Sequence, residues 1–116
     1  MAKYVCKQNS YSAQYLVQQM ESYGFHTDWV HQGENLTPVI HEMDGLLRDG
    51  TLRIGNNNVL KAHFLNVAMK QNEETRKIRP VKIDPRTHID GFVAVCDAMT
   101  VRMKYYDQIG EQLKNE

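Results

Sequence analysis

The sequence predicts an α/β fold in which short strands alternate with helices and a long helix forms the C-terminal part. Residues 25–30 alternate between apolar and polar side chains, as in a half-buried strand, and stretches with helical apolar spacing flank them. From about Thr87 onward, apolar residues recur at helical spacing as far as Tyr106. With 116 residues and 41% hydrophobic side chains, the chain is long enough for a single domain over residues 1–116.

The first predicted elements are a strand that includes Tyr4-Val5-Cys6 and a helix capped by Ser10 or Ser12. Gly24 is expected to end this helix, because glycine readily adopts the left-handed conformation found just after helix C-termini. The predicted apolar face of the helix comprises Tyr15, Leu16, Gln19, Met20 and Tyr23.

A second helix is predicted after a loop over residues 31–35. Thr37 is its expected N-cap and Pro38 its first helical residue, a position where the missing N–H of proline costs nothing. Gly50 is expected to close it. Its predicted apolar face comprises Ile40, Met43, Leu46 and Leu47.

Shorter elements are predicted for the second half of the chain. In order, they are a strand at 51–54, a turn at 55–58, a helical turn at 59–63, a strand at 65–69, a polar hairpin or loop at 71–77 and an extended segment at 79–83. Pro80 argues against a central strand there, because proline cannot donate to a sheet ladder. The long helix then carries Ile89, Phe92, Val93, Cys96, Met99, Thr100, Met103 and Tyr106 on its apolar face and ends in a polar tail, residues 107–116.

The charge balance excludes a uniformly basic nucleic-acid binder, since 14 basic and 14 acidic side chains give zero net charge. Basic residues are nevertheless concentrated between Lys70 and Arg86. Cys6 and Cys96 are far apart and have no metal-ligand spacing, which indicates reduced thiols in an intracellular protein. No apolar run reaches the roughly 18 residues of a membrane span, so we expect a soluble protein without membrane partners.

Asp90 is the residue whose position best suits a role in metal binding or catalysis. It lies where an extended basic segment meets the long helix, and the positive end of a helix dipole favours an ionised carboxylate there. Such an acid is either a metal ligand or an ordinary first-turn acid, and position alone favours the second interpretation. Asp97, two turns later, is expected to be a solvated or helix-pairing acid. The histidines are too scattered to predict a metal cluster: His26, His31, His41, His63 and His88.

A series of short motifs occurs in a defined order. They are Gly24-Phe25, His31-Gln32-Gly33, Thr37-Pro38, Asp49-Gly50, Leu52-Arg53-Ile54, Asn58-Val59-Leu60, Asn66-Val67, Pro80-Val81-Lys82 and Ile89-Asp90-Gly91-Phe92-Val93-Ala94. Their order, and the eight-residue separation of Lys82 and Asp90, resemble the C-terminal nuclease domain of the large terminase subunit of tailed bacteriophages and prophages. The resemblance covers residues 4 to 106.

The resemblance implies a truncated RNase H-like fold, with a mixed sheet flanked by helices. It implies DNA cleavage at a site of acids that bind Mg²⁺ or Mn²⁺, ions that prefer the oxygen ligands of Asp and Glu. Asp90 matches the family's last metal-binding acid, and Lys82 matches a lysine that contacts phosphate or the acids. Asn66 matches an asparagine in the preceding strand. The basic residues expected to contact DNA are Arg76, Lys77, Arg79, Lys82 and Arg86.

Two departures from the family pattern affect the expected activity. The family's first metal-binding Asp lies on an earlier strand, and nothing before Lys3 can supply it; at the second acidic position Asn9 is the best match, a weaker ligand than a carboxylate. The ATPase domain of full-length terminases has no counterpart either. We therefore expect the C-terminal portion of a nuclease domain, with weak or no cleavage on its own and self-association through an exposed sheet edge.

The family further implies double-stranded DNA, the terminase small subunit and the portal as partners, and the cytoplasm of a bacterial host as location. Two alternatives remain open. In the first, the chain is a non-catalytic DNA-binding or adaptor module that uses the basic residues 76–86. In the second, it is a small structural protein in which Asp90 is buried and paired with Lys82 or Arg86.

Overall fold

The structure of the chain, a computed structural model, describes residues 4–8 and 11–114. Asn9 and Ser10, to which the sequence assigned a ligand and a cap, lie outside the described residues. The chain divides into two compact units, a terminal unit of residues 1–31 and 97–116 and a central unit of residues 32–96. The prediction of a single domain over residues 1–116 stays a prediction.

The terminal unit contains a strand–helix–strand motif. Its elements are β1 (Tyr4–Gln8), α1 (Tyr11–Ser22), β2 (His26–Val30) and the later turns of α4 (Asp90–Lys114). β1 and β2 pair in parallel, from Tyr4 opposite His26 to Gln8 opposite Val30. Since parallel neighbours require a crossover, α1 provides the connection. This motif confirms the predicted α/β class.

The central unit contains helical segments and an antiparallel hairpin. Its elements are a 3-10 helix (Gly33–Leu36), α2 (Thr37–Arg48), α3 (Asn58–Leu65), β3 (Val67–Gln71), β4 (Ile78–Lys82) and the first turns of α4. β3 and β4 pair from Val67 opposite Lys82 to Gln71 opposite Ile78. The strands of the described residues therefore form two separate pairs, whereas the sequence predicted one mixed sheet.

Pro80 occupies a position of β4 where its missing N–H is harmless. The N–H of Asn72 donates to the carbonyl of Lys77 at one end of the hairpin, and that of Ile83 to the carbonyl of Asn66 at the other. Hydrogen-bonded and non-hydrogen-bonded pairs alternate in an antiparallel ladder, so Pro80, opposite Met69, falls on a non-hydrogen-bonded pair. Its nitrogen faces away from β3, as expected for an edge strand.

The predicted strand at residues 51–54 is wrong, because the backbone N–H groups there are used locally. The N–H of Leu52 donates to the carbonyl of Leu46, and the N–H of Thr51 donates to the carboxylate of Asp49 at 2.8 Å. Gly50, with φ of 80°, closes α2 as predicted. The segment is a turn that ends α2.

The predicted N-cap of α2 is also wrong. Leu36, the last residue of the 3-10 helix, occupies the N-cap position of α2, so Thr37 is already helical and its hydroxyl bonds elsewhere. The 3-10 helix itself occupies part of the predicted loop at 31–35. Ser12 lies inside α1, and the other predicted cap of this helix, Ser10, lies outside the described residues, so that cap stays a prediction. Gly24, with φ of 86°, follows α1 as expected.

Burial agrees with the predicted faces of α2 and early α4 but not with that of α1. Tyr15, Leu16 and Tyr23 are exposed, so the apolar face predicted for α1 is largely uncovered. Met103 and Tyr106 are also exposed; α4 leaves helical geometry at Tyr105 (φ −120°, ψ 23°), which interrupts the helical spacing near them. The buried apolar side chains are Val30, Leu36, Val39, Ile40, Met43, Ile89, Phe92, Cys96, Met99 and Val101.

Asp97 is buried, with 9% of its surface exposed, so of its two predicted roles that of a solvated acid is wrong and that of a helix-pairing acid stays a prediction. Its helix neighbours Cys96 and Met99 are buried too. None of the helices described here is both long and apolar enough to cross a bilayer.

Candidate functional site

Asp90 lies at the first turn of α4, with its side chain in solvent. The N–H of Val93 donates to the carbonyl of Ile89 at 3.0 Å, which is the first bond of the helix. Ile89 and Phe92 on either side are buried, whereas the Asp90 side chain is 87% exposed. Its carboxylate Oδ2 lies 3.9 Å from Nδ1 of His88. The helix end is therefore anchored by its buried residues, while the Asp90 carboxylate is accessible to a ligand.

A tight turn precedes the helix and delays its start from the predicted Thr87 to Asp90. Asp84 accepts hydrogen bonds from the backbone N–H and the guanidinium of Arg86, the shortest at 2.8 Å. Thr87 donates its N–H and its hydroxyl to the carbonyl of Asp84. The Arg86 guanidinium and N–H lower the pKa of Asp84, so this exposed pair is ionised and Arg86 is partly neutralised.

Asn66 connects the chain on both sides of this turn. Its backbone carbonyl accepts from the N–H of Ile83, directly after Lys82, at 2.9 Å. Its side-chain Nδ2 donates to the carbonyl of His88 at 3.1 Å. Asn66 is the C-cap of α3, which fixes its backbone. Asn66 is thus bonded to the residue after Lys82 and to the residue two before Asp90.

His63 makes a second contact to the start of α4. Its Nδ1 accepts the N–H of Gly91 at 2.8 Å, satisfying one of the donors that a helix N-terminus leaves unpaired. A Cβ on Gly91 would lie 2.9 Å from Nδ1 of His63 and 2.9 Å from Cδ1 of Leu60. A larger residue after Asp90 would therefore have to displace these two α3 side chains.

The basic residues predicted to contact DNA are all exposed but do not share one face. Side chains alternate along β4, so Arg79 and Lys82 lie on opposite faces of the hairpin. Lys70 lies directly opposite Arg79 across the ladder, and like charges in such a pair repel. Arg76 takes φ of 63° in the hairpin turn, and Lys77 follows it. The DNA-binding role of these residues stays a prediction.

The described residues alone do not fit a two-ion metal site. Hard divalent ions need several oxygen ligands. Within residues 4–8 and 11–114, no group of three or more His, Cys, Asp or Glu side chains is placed to hold a metal ion. Asp90 and His88 form a pair only. Asn9, the predicted weak ligand, lies outside the described residues.

A second carboxylate, not singled out from the sequence, is fixed in the terminal unit. Asp28 of β2 is 14% exposed and lies 2.9 Å from the ammonium of Lys104. Burial raises the pKa of Asp28, but hydrogen bonds from Lys104, Tyr105 and the Trp29 N–H together outweigh it and lower the pKa. The Asp28 hydrogen bond raises the pKa of Lys104. The lowered pKa keeps Asp28 ionised at neutral pH, so it forms a structural pair with Lys104 rather than an open ligand.

The sequence assigned His63 no role at this site. The imidazole is 28 residues from its partner Gly91, so no local spacing reveals the contact. Gly91 gives an indirect signal, since a glycine in the first turn of a helix is compatible with close approach of another segment.

For a purely structural protein, Asp90 was expected to be buried and paired with Lys82 or Arg86. This expectation is wrong, because Asp90 is exposed and Arg86 is paired with Asp84.

A family model described as the terminase large subunit, endonuclease domain, matches residues 4–105. The range agrees with the residues 4 to 106 over which the sequence motifs run. No curated protein matches the chain, and no solved structure does.

Proposed function

Because the family model matches residues 4–105 of 116, the chain belongs to the family of terminase large subunit endonuclease domains, and we propose that Asp90 is one carboxylate of its divalent-metal site. The observation that carries the proposal is the exposed Asp90 carboxylate on a helix end held in place by buried neighbours. Mg²⁺ or Mn²⁺ suits a carboxylate ligand of this kind. Double-stranded DNA is the proposed substrate, which the family match supports.

The proposal extends to the fold and to the basic residues. A parallel strand–helix–strand motif and an antiparallel hairpin are compatible with part of an RNase H-like domain. Lys82 is exposed at the end of β4, and the residue after it is bonded to Asn66. We assign Lys82 to phosphate contact near Asp90. Arg76, Lys77 and Arg79 are assigned to DNA farther along the hairpin.

Cleavage by this chain alone is proposed to be weak or nil. A single exposed carboxylate leaves too little negative charge to hold two divalent ions, and the described residues offer no third ligand to Asp90 and His88. The remaining acids would come from outside the described residues or from another chain. The terminase small subunit, the portal and a second copy joined at a sheet edge are the proposed protein partners, in the cytoplasm of a bacterial host.

The test is a titration with Mn²⁺ that is monitored by ¹H–¹⁵N correlation spectra. The paramagnetic ion broadens the amide signals of residues near its binding site. We expect broadening centred on residues 88–92 and its loss in Asp90→Asn. Glu42→Gln, at an exposed helix position remote in sequence, is the control and should leave the broadening unchanged. Equal broadening in wild type and Asp90→Asn would refute the site.

Nicking of supercoiled plasmid with Mn²⁺, with EDTA as control, tests the proposed inactivity. Background nicking by folded wild-type protein is the expected result. Nicking that disappears in Asp90→Ala would show that the chain completes a working site, contrary to this part of the proposal.

The alternative function, a non-catalytic DNA-binding module, is favoured by one observation. Lys70 and Arg79 form a like-charge pair across the hairpin, which a bound polyanion would stabilise. Salt-dependent DNA binding without any Mn²⁺ broadening at Asp90 would select this alternative.

A further inference from the structure

The outer edge of β3 carries a row of backbone groups that β4 does not use. Val67, Met69 and Gln71 fall on non-hydrogen-bonded pairs of the hairpin, so their N–H and C=O groups point away from β4. Among the described residues, no acceptor binds these three N–H groups. The strand is also exposed from Met69 to Gln71. β3 is therefore an open edge strand, which can pair with another strand.

The outer edge of β4, in contrast, is largely closed. The hydroxyl of Thr37 accepts the N–H of Ile78 at 2.9 Å. Pro80 occupies the next outward position and has no N–H to donate. Only Lys82, at the end of the strand, follows as a further outward position. An added strand would therefore find a regular row of donors and acceptors on β3 but not on β4.

The sequence of β3 fits a second copy of itself in one antiparallel register. With Met69 opposite Met69 of the second copy, Val67 lies opposite Gln71 and Ala68 opposite Lys70, so all five residues of each strand are paired. The outward groups would then form about six backbone hydrogen bonds. A register centred on Lys70 would place two ammonium groups directly opposite each other, where like charges repel. A register centred on Ala68 would leave Gln71 beyond the end of the other strand.

The two faces of the hairpin differ in character. Met69 and Ile78 line a cavity of about 290 Å³ together with Met43, so their face is turned toward α2. Lys70 and Arg79 lie opposite each other on the other face, both exposed, and no acid among the described residues pairs with them. The two-fold axis of an antiparallel strand pair is perpendicular to the sheet. The basic pairs of both copies would therefore lie on the same face.

We propose that a second copy of this chain pairs antiparallel along β3, with Met69 at the two-fold axis, which gives a four-stranded sheet in the order β4-β3-β3-β4. This specifies the sheet-edge partner of the proposed function. A strand of five residues provides a short interface, so the dimer is weak and depends on protein concentration. Its shared basic face, formed by Lys70 and Arg79 of each copy, fits a polyanion such as DNA.

A pair of charge variants tests the register by sedimentation velocity over a range of protein concentrations. Met69→Glu and Met69→Lys each place like charges opposite each other at the axis, and each should weaken dimerisation on the order of tenfold. An equal mixture of the two should restore it, because opposite charges then meet. Met103→Glu and Met103→Lys are the matched controls, since Met103 is 41% exposed and Met69 38%. These controls should dimerise like wild type.

Two results of this experiment would overturn the proposal. In the first, both Met69 variants dimerise as wild type does. In the second, the mixture of the Met69 variants stays as weak as either variant alone, which would mean that residue 69 of one copy does not face residue 69 of the other.

Amide hydrogen exchange of the wild type tests the same pairing without any variant that has to fold. Raising the protein concentration should slow exchange at Val67, Met69 and Gln71 on the order of tenfold, because these N–H groups become bonded. The N–H groups of Ala68 and Lys70 already belong to the hairpin ladder and should change little. Exchange at the first three residues that is independent of concentration, or protection that appears on β1 instead, would overturn the proposal.

These measurements use neither metal nor DNA, so they separate the dimer from the proposed metal site. A dimer without Mn²⁺ broadening near Asp90 would leave the pairing intact while the metal site fails. Short duplex DNA should further slow exchange of the Met69 amide, and Lys70→Gln should reduce this gain without weakening the dimer in buffer. No change in Met69 exchange on addition of duplex DNA would overturn the role of the shared basic face.

Discussion

The hydroxyl of Thr37, the first residue of α2, accepts the N–H of Ile78, the first residue of β4, at 2.9 Å. The same oxygen lies 2.7 Å from the carbonyl of Glu34 and 3.0 Å from that of Ile78, so its proton serves one of these carbonyls. The bond covers the outer edge of β4 at its start, where an unpaired N–H would otherwise invite another strand. It also explains why Thr37 is not a helix cap.

Replacing Thr37 tests the strength of this connection. Thr37→Val leaves the part-buried N–H of Ile78 without its acceptor, and we expect a loss of about 1–2 kcal/mol in the free energy of unfolding. Thr37→Ser keeps the hydroxyl and should lie much closer to wild type. Urea denaturation of the three proteins measures the difference. Equal losses in both variants would mean that the methyl group, not the hydroxyl, carries the effect.

Gly91→Ala is expected to destabilise the protein by about 1–3 kcal/mol, because the new Cβ displaces the imidazole of His63 and the side chain of Leu60. Gly45→Ala is the matched control. Gly45 lies inside α2 and a Cβ there meets nothing within 4 Å, so alanine should stabilise the helix by about 0.5–1 kcal/mol. Thermal unfolding of both variants is the measurement, and changes of the same sign would contradict the close contact at Gly91.

The Asp28–Lys104 pair predicts a pH dependence of stability. The pKa of Asp28 is lowered in the folded protein, so its ionised form stabilises the fold above the ordinary carboxyl pKa of about 3.9. This contribution is lost as the pH falls from there through the lower folded-state pKa. Asp28→Asn should therefore be less stable than wild type at pH 7, with the difference shrinking at pH 3 and below.

Urea denaturation at several pH values provides the comparison. Asp44→Asn, which removes an exposed partner of Arg48 on α2, is the control and should change little at any pH. A difference between Asp28→Asn and wild type that stays constant down to pH 2 would show that shape, and not charge, determines the effect.

DNA binding should depend on Lys77 and Arg79 more than on Arg86. The first two lie on the exposed hairpin, whereas the guanidinium of Arg86 already binds the carboxylate of Asp84 at 2.8 Å. The slope of log K against log salt is negative, and each phosphate contact that is removed reduces its magnitude by about 0.9. Lys77→Gln with Arg79→Gln should reduce it by roughly 2, and Arg86→Gln by clearly less than 1.

Fluorescence anisotropy of labelled duplex DNA across a salt series measures these slopes. Lys82→Gln belongs in the same series, because Lys82 lies on the face of β4 opposite Arg79. If Lys82→Gln reduces the magnitude of the salt slope as much as Arg79→Gln does, DNA contacts both faces of the hairpin. A large loss from Arg86→Gln would contradict the neutralising role of Asp84.

Local rules were sufficient for a large part of the fold. Gly24 and Gly50 end helices with positive φ because no other residue adopts that conformation at so little cost. The alternation at residues 25–30 predicted β2. The polar run at 71–77 predicted a hairpin or a loop, and the structure has a hairpin there. Ordered motifs identified the family, and the family match confirms it.

Local sequence patterns gave wrong predictions where a backbone N–H or a side-chain hydroxyl bonds to a partner outside the predicted element. Residues 51–54 are a turn because the carbonyl of Leu46 and the carboxylate of Asp49 take N–H groups that a strand would need. Thr37 does not cap α2 because its hydroxyl bonds to Ile78. The exposure of Leu16 shows the same limit, since helical spacing predicts a face but not whether anything covers it.

The sequence by itself determined the α/β class, the family and the place of Asp90 at a helix start, because these follow from periodicity, turn chemistry and motif order along the chain. Only the tertiary structure decided that Asp90 is exposed and that His63 and Asn66 hold the backbone beside it. Those bonds join residues 22 and 28 positions apart. Contacts at such separations depend on how the helices and turns close on one another, and no local pattern encodes that closure.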